Sequence, residues 1–208
     1  MIKNHRRVTD AQGSKYRLEL LPTVNKLWLW GLLLAGPLAV ASSPQQAAQQ
    51  IKAQFVYNFA NYVEWPDSAF ESADSSMKIC LYGNVDFARY LTAFEGVIIG
   101  RRQLAILISS NIADIKNGCH ILFVGDDQKL NLPTFWQDIN YVYVLSVSER
   151  EGFADRGGII NILRTQDRVQ FDVNISNAIN NGLFLDSDLL SLARTIKRNT
   201  GAPARVEE

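Results

Sequence analysis

The sequence predicts an α/β fold: a three-layer sandwich with a mainly parallel central sheet of flavodoxin- or Rossmann-like order and an antiparallel hairpin at the sheet edge. Three patterns predict it. Short apolar runs between Lys78 and Val147 alternate with segments of helical period, as parallel strands laid between helices do. Two of these runs, KICLY and CHILFV, stop at a glycine, Gly83 and Gly125. After Gly152 the pattern changes to two alternating runs, 158–164 and 168–174, joined by Thr165-Gln166-Asp167, which reads as a hairpin.

The chain opens with Lys3, Arg6, Arg7, Lys15, Arg17 and Lys26, then the uncharged run LWLWGLLLAGPLAVA from Leu27 to Ala41. A basic lead, an apolar core of about 14 residues and a small-x-small ending read as a secretory signal peptide cleaved after Ala41. The core is shorter than the roughly 20 residues that span a bilayer. An uncleaved anchor is the alternative. The expected organisation is residues 1–41 as leader, 42–198 as a single domain and 199–208 as a loose tail.

Ser43-Pro44 opens the first helix, with proline suited to the first helical position. Ile51, Phe55, Phe59 and Tyr62 share one face, Lys52, Asn58 and Asn61 lie opposite, and Trp65-Pro66 ends the helix. DSAFESADSS, 67–76, is a polar loop. Lys78 to Tyr82 is the first buried strand. Phe87, Tyr90, Leu91 and Phe94 mark a helix over 86–94, and Gly96 to Gly100 is a turn or bent edge piece. Gln103 to Ile108 is the second strand, Ile112 to Lys116 one helical turn, and Cys119 to Val124 the third strand. A helical pattern over 127–138 is broken at Leu132-Pro133. Tyr141 to Val147 is the fourth strand, rich in β-formers. After the hairpin, 176–181 is a short helix ended by Gly182. Asp186-Ser187 caps a last helix that turns Leu189, Leu192, Ala193 and Ile196 inward.

Composition narrows the function. Six of the 21 basic and two of the 21 acidic residues leave with the leader, so the remaining domain carries a net charge of −4. That balance gives no electrostatic footprint for nucleic acid. Of the two histidines only His120 remains, which excludes a multi-histidine metal site and leaves a triad one candidate base. No glycine-rich phosphate fingerprint is present, and no cofactor or catalytic residue is expected. Cys80 and Cys119 form an even pair in an exported chain, which favours a structural disulfide over a redox pair or two buried thiols. If the strand order is 2-1-3, these cysteines lie on or beside neighbouring strands.

Ligands of such folds bind at the carboxyl ends of the strands. There the sequence places Asn84, Asp86, Asp126, Asp127 and Glu149, an acidic crevice able to take a small molecule or a hard cation. Asp86 and Asp126 sit where helix N-caps belong, and capping is the simpler reading of these two. Tyr57, Trp65, Phe153 and Arg156 are the candidate partner-binding residues, the last two on the exposed loop expected before Gly157-Gly158.

Five segments carry a family resemblance: IKAQFVYNFANYVEWP (51–66), MKICLYG (77–83), GCHILFVG (118–125), VLSVSEREGFADRGGIINI (144–162) and RVQFDVNISNAINNGLFLDSDLLSLA (168–193). Together they resemble the YfiR family of periplasmic proteins, from about Gln50 to Lys197. The resemblance implies an α/β sandwich, a homodimer, and a regulator rather than an enzyme. It implies a partner too: the periplasmic part of an inner-membrane diguanylate cyclase or another sensor, held inactive, with lowered cyclic di-GMP and biofilm formation. An OmpA-like outer-membrane lipoprotein would relieve the inhibition by sequestering the regulator. Family cysteines matching Cys80 and Cys119 form a disulfide. The second family cysteine pair, in the segment matching Tyr141 to Glu151, is absent from this sequence.

Overall fold

The structure, a computed structural model, describes residues 43–116, 118–126, 130–139, 141–163 and 169–199. Helix α1 (Pro44–Phe59) starts with Ser43 and Gln46 forming a reciprocal capping box, Pro44 occupying the first turn. The chain leaves the helix at Ala60 because Val63–Glu64 (β1) pairs antiparallel with Phe184–Leu185 (β9). That short ribbon has no signature in the sequence. It also moves the buried stripe of α1: Ala53, Val56 and Phe59 face the core, and Ile51, expected inside, is exposed.

The main sheet has eight strands among the described residues. They are β2 (Met77–Tyr82), β3 (Ile98–Ile99), β4 (Arg102–Ser109), β5 (Ile121–Val124), β6 (Leu145–Ser148), β7 (Ile160–Leu163), β8 (Gln170–Asn174) and β10 (Thr195–Lys197), in the spatial order β10-β8-β7-β6-β5-β2-β4-β3. Strands β4, β2, β5, β6 and β7 run parallel; the hairpin β7–β8 and the short β3–β4 pair are antiparallel. The expected 2-1-3 order holds, with the first strand β2 between the second, β4, and the third, β5. The hairpin is not outermost, because β10 adds a further strand parallel to β8.

Strand period 2 sorts the apolar residues into two cores. Ile79, Leu81, Ile121, Phe123, Leu145 and Val147 join α1, α2 (Ala88–Leu91), α5 (Ile175–Asn180) and α6 (Ser187–Leu192) on one face. Cys80, Leu122 and Val124 point the other way, toward α3 (Ile112–Ile115) and α4 (Leu132–Asp138). The result is the three-layer α/β sandwich.

Further element boundaries differ from those the sequence predicts. Pro133 begins α4 rather than breaking it, with Asn131 capping the Thr134 amide at 3.2 Å, because proline has no amide to lose in a first turn. Tyr141 to Val144 is not strand. Tyr143 sits at φ 59°, and its amide donates to the Asn181 carbonyl at 2.9 Å instead of to a neighbouring strand. The last helix stops at Leu192, which is exposed, and Ile196 is half-exposed on β10 rather than inside. The segment 164–168, which contains the expected hairpin turn, and residues 1–42 lie outside the described residues.

Candidate functional site

From β2 the chain passes to β4 on one side and then crosses to β5 on the other, so connections diverge beyond the carboxyl ends of β2 and β5. Such a divergence opens a crevice between two loops that leave in opposite directions. Here it is a cavity of about 230 Å³ lined by Asn84, Val85, Asp86, Phe123, Asp126 and Glu149. The two loops approach closely at its floor. The Gly125 amide donates to Tyr82 carbonyl at 2.8 Å, and a Cβ at Gly125 would lie 2.5 Å from the Asn84 carbonyl oxygen. Only glycine fits there.

Four of the five crevice residues named from the sequence therefore meet around one cavity; the fifth, Asp127, lies outside the described residues. The electrostatics differ from the expected acidic edge. Lys52 of α1 reaches in, its Nζ 2.9 Å from a Glu149 oxygen and 3.4 Å from Asp86 Oδ2. Glu149 is deeply buried, so this ammonium is its counter-ion in a low-dielectric setting. The helical period of the sequence puts Lys52 on the outer face of α1, and the structure turns it inward. The signal that marks it is the spacing Lys52, Val56, Phe59, a lysine set inside the stripe that is actually buried. Asp86 does not cap α2, whose N-cap is Phe87 with no side-chain hydrogen bond. Beside this cavity, Asp126, Arg150, Glu151 and Arg156 line a second one of about 380 Å³.

The candidate partner residues have different fates. Tyr57 is half-buried and stacks on Phe94, ring centroids 4.3 Å apart. Trp65 is half-buried and donates from Nε1 to the Tyr143 carbonyl at 2.9 Å. Phe153, expected on an exposed loop, is fully buried: its ring fills the space beside Gly158 and packs against Trp136 at 5.7 Å. Arg156 is exposed, but its guanidinium folds back onto the carbonyls of Gly152 and Glu151. The Gly157-Gly158 pair is needed because Gly157 takes φ +97° and a Cβ there would meet Trp136 Nε1 at 2.6 Å. Trp136, which the sequence reading passed over, fixes this loop by donating to the Arg156 carbonyl at 2.8 Å.

His120 is not placed to act as a base. Its Nδ1 accepts from the Lys78 amide at 3.0 Å, and Nε2 lies 3.1 Å from the Ala69 carbonyl, which assigns the proton to Nε2. The ring stacks on Phe70 at 4.3 Å. Burial drives its pKa down from 6.5 to about 4, against the Ala69 bond, with the positive charges of Lys78 and Arg102 adding to the fall. Tyr141 is likewise structural. Burial pushes its hydroxyl up from the usual phenol range while it bonds Ser146, whose Oγ accepts from the Ile159 amide at 2.9 Å.

Cys80 and Cys119 form a disulfide with Cα atoms 5.8 Å apart, linking β2 to the residue two before β5. Among the described residues no group of three His, Cys, Asp or Glu side chains is arranged to hold a metal ion. No helix among them is long and apolar enough to cross a membrane.

A sequence model of the YfiR/HmsC-like family matches residues 49–194. The chain belongs to that family, whose members are known as periplasmic regulators of diguanylate cyclases, and the membership supports a regulatory rather than a catalytic role. No curated protein matches. A solved structure titled a conserved domain protein from Vibrio cholerae O1 biovar eltor str. N16961 is similar over 72% of this chain and 60% of that one, at 10% identity and TM-score 0.49. This chain thus spans 60% of that protein's length.

Proposed function

We propose that this chain, exported with residues 1–41 removed, binds the periplasmic part of an inner-membrane diguanylate cyclase and holds it inactive, lowering cyclic di-GMP and biofilm formation. The family match over 49–194 carries this reading. The mechanism is a shift of population: the regulator must bind the cyclase's inactive state more tightly, because equal affinity for both states moves nothing. Release by an OmpA-like outer-membrane lipoprotein and a homodimeric state belong to the same proposal.

The surface offered for the partner is the apolar one around Trp65. The Tyr143 carbonyl that Trp65 holds sits next to Val142, and the Tyr143 amide bonds the loop that follows Ile179. Phe184 pairs with Glu64, the neighbour of Trp65. Val142, Ile179 and Phe184 are 54%, 61% and 69% exposed. Large exposed side chains on neighbouring segments are what an interface core is made of. Deleting the gene is expected to raise cyclic di-GMP, measured by mass spectrometry of cell extracts. Complementation with Phe184→Asp should fail to restore the low level although the protein accumulates normally. Unchanged cyclic di-GMP on deletion would end the cyclase reading.

The crevice supports a second reading, a small-molecule site. The Lys52 ammonium already stands between Asp86 and Glu149, where a hard cation would sit. The reading therefore narrows to a small polar molecule held beside Asn84. A thermal-shift screen of polar metabolites tests it, since a ligand of the folded state raises Tm with its concentration.

A further inference from the structure

We propose that a third pocket, at the opposite, amino-terminal end of the sheet, is a binding site for a small organic monoanion: one carboxylate on a compact apolar body. The inference does not depend on the cyclase reading. The pocket has a volume of about 310 Å³, and its walls include Trp65, Met77, Ile99, Asn61 and the two arginines that open β4, Arg101 and Arg102.

Arg102 is the reason the site calls for an anion. The residue is 7% exposed, an unusual place for a guanidinium without a carboxylate partner. One of its terminal nitrogens, Nη1, is committed to the backbone, donating to the carbonyls of Ser72 (3.0 Å), Ala73 (3.1 Å) and Ser75 (2.8 Å). Its Cζ lies over the Phe70 ring, 3.4 Å from the centroid. Phe70 also stacks on His120, with ring centroids 4.3 Å apart. These contacts hold the guanidinium rigidly. They use neutral carbonyls and a neutral ring, so the positive charge keeps no paired carboxylate among the described residues.

Arg102's Nε and Nη2 donate to no group of the described residues, and the residue lines the pocket. A planar carboxylate matches two parallel donors of that fork. The second arginine is at the rim. Arg101 is exposed and meets Asp67 at 2.7 Å, so the charged side chains of the pocket sum to one net positive charge. One negative charge balances it, and a dianion would exceed it. The rest of the wall is mainly apolar, Val63, Trp65, Met77 and Ile99, with Asn61 as its polar side chain. Pockets of this size, apolar with a few placed polar groups, are the usual form of a small-molecule site. The fixed guanidinium removes most of the ordering cost that a free arginine would meet on binding.

The probe is phenylacetate, titrated calorimetrically into the protein, with phenethylamine and inorganic phosphate as comparisons. Phenylacetate is expected to bind with one site per chain. Phenethylamine should show no heat, and phosphate should bind at least tenfold more weakly. Arg101→Glu, on an exposed side chain, turns the pocket charge from one positive to one negative and should weaken phenylacetate at least tenfold. Asn61→Trp, also at an exposed position, fills the mouth and should abolish binding while circular dichroism and Tm stay unchanged. Absence of phenylacetate binding, equal binding of the amine, or binding that survives Asn61→Trp overturns the proposal.

Discussion

His120 shows what a single buried side chain contributes to this molecule. Its neutral form completes two backbone contacts, from the Lys78 amide and to the Ala69 carbonyl, and its pKa of about 4 lies below the 6.5 of an ordinary imidazole. Between those values the unfolded chain binds the proton and the folded chain does not. Stability therefore rises with pH across that window, is complete above the unfolded value, and is lost as pH falls toward the folded one. The size is about 3 kcal/mol, from about 1.4 kcal/mol per pH unit. Urea denaturation at pH 7 and pH 4 should show this loss, and His120→Gln, which cannot titrate, should remove about that much of the difference between the two pH values. Lys52 carries the same lesson for the crevice: a charge is tolerated inside the apolar stripe of α1 because Glu149 and Asp86 meet it there.

At the scale of elements, the C-terminal segment is the clearest case of tertiary contacts overriding local period. Leu189, Leu192, Ala193 and Ile196 have helical spacing, yet the chain turns at Ala193 and continues as a strand. Arg194 sets the turn. Its amide donates to the Phe171 carbonyl at 2.8 Å, and its fork grips Asp172 at 2.9 and 2.7 Å. Lys197 at the strand end reaches Asp155 at 2.7 Å. The Arg194 fork holds the Asp172 carboxyl below its ordinary range, so this contact persists through neutral and mildly acid pH and is lost only as pH falls through that lowered value. Arg194→Lys keeps the charge and loses the paired geometry. Amides of 195–197 should then exchange about tenfold faster by hydrogen–deuterium exchange, with the β2–β5 amides unchanged.

For the whole molecule the disulfide is the largest single constraint on the unfolded chain. Cys80 and Cys119 are 39 residues apart, and closing a loop of that length is worth about 4 kcal/mol in the chain-entropy description. Replacing both by alanine should lower Tm by about 10 °C, read by calorimetry, at the scaling of domains this size. The bond ties the central strand β2 to the amino-terminal entry of its neighbour β5, the end opposite the crevice.

The sequence by itself determined the architecture. Apolar runs closed by glycines, the 2-1-3 strand order inferred from βαβ alternation and the cysteine pair beside neighbouring strands all stand in the structure, because period, turn chemistry and capping act over a few residues. That Asn84, Asp86, Asp126 and Glu149 line one cavity is legible for the same reason: each follows a strand, and parallel strands bring their ends together. What only the tertiary structure decided are contacts between distant segments. Lys52 meets Glu149 97 positions away, Phe153 is drawn inside by the room that Gly158 leaves, and the β1–β9 ribbon ends α1 early. Two-residue strands have too few side chains to show a period, and a lysine's partner is chosen by where two elements pack rather than by its neighbours in the chain.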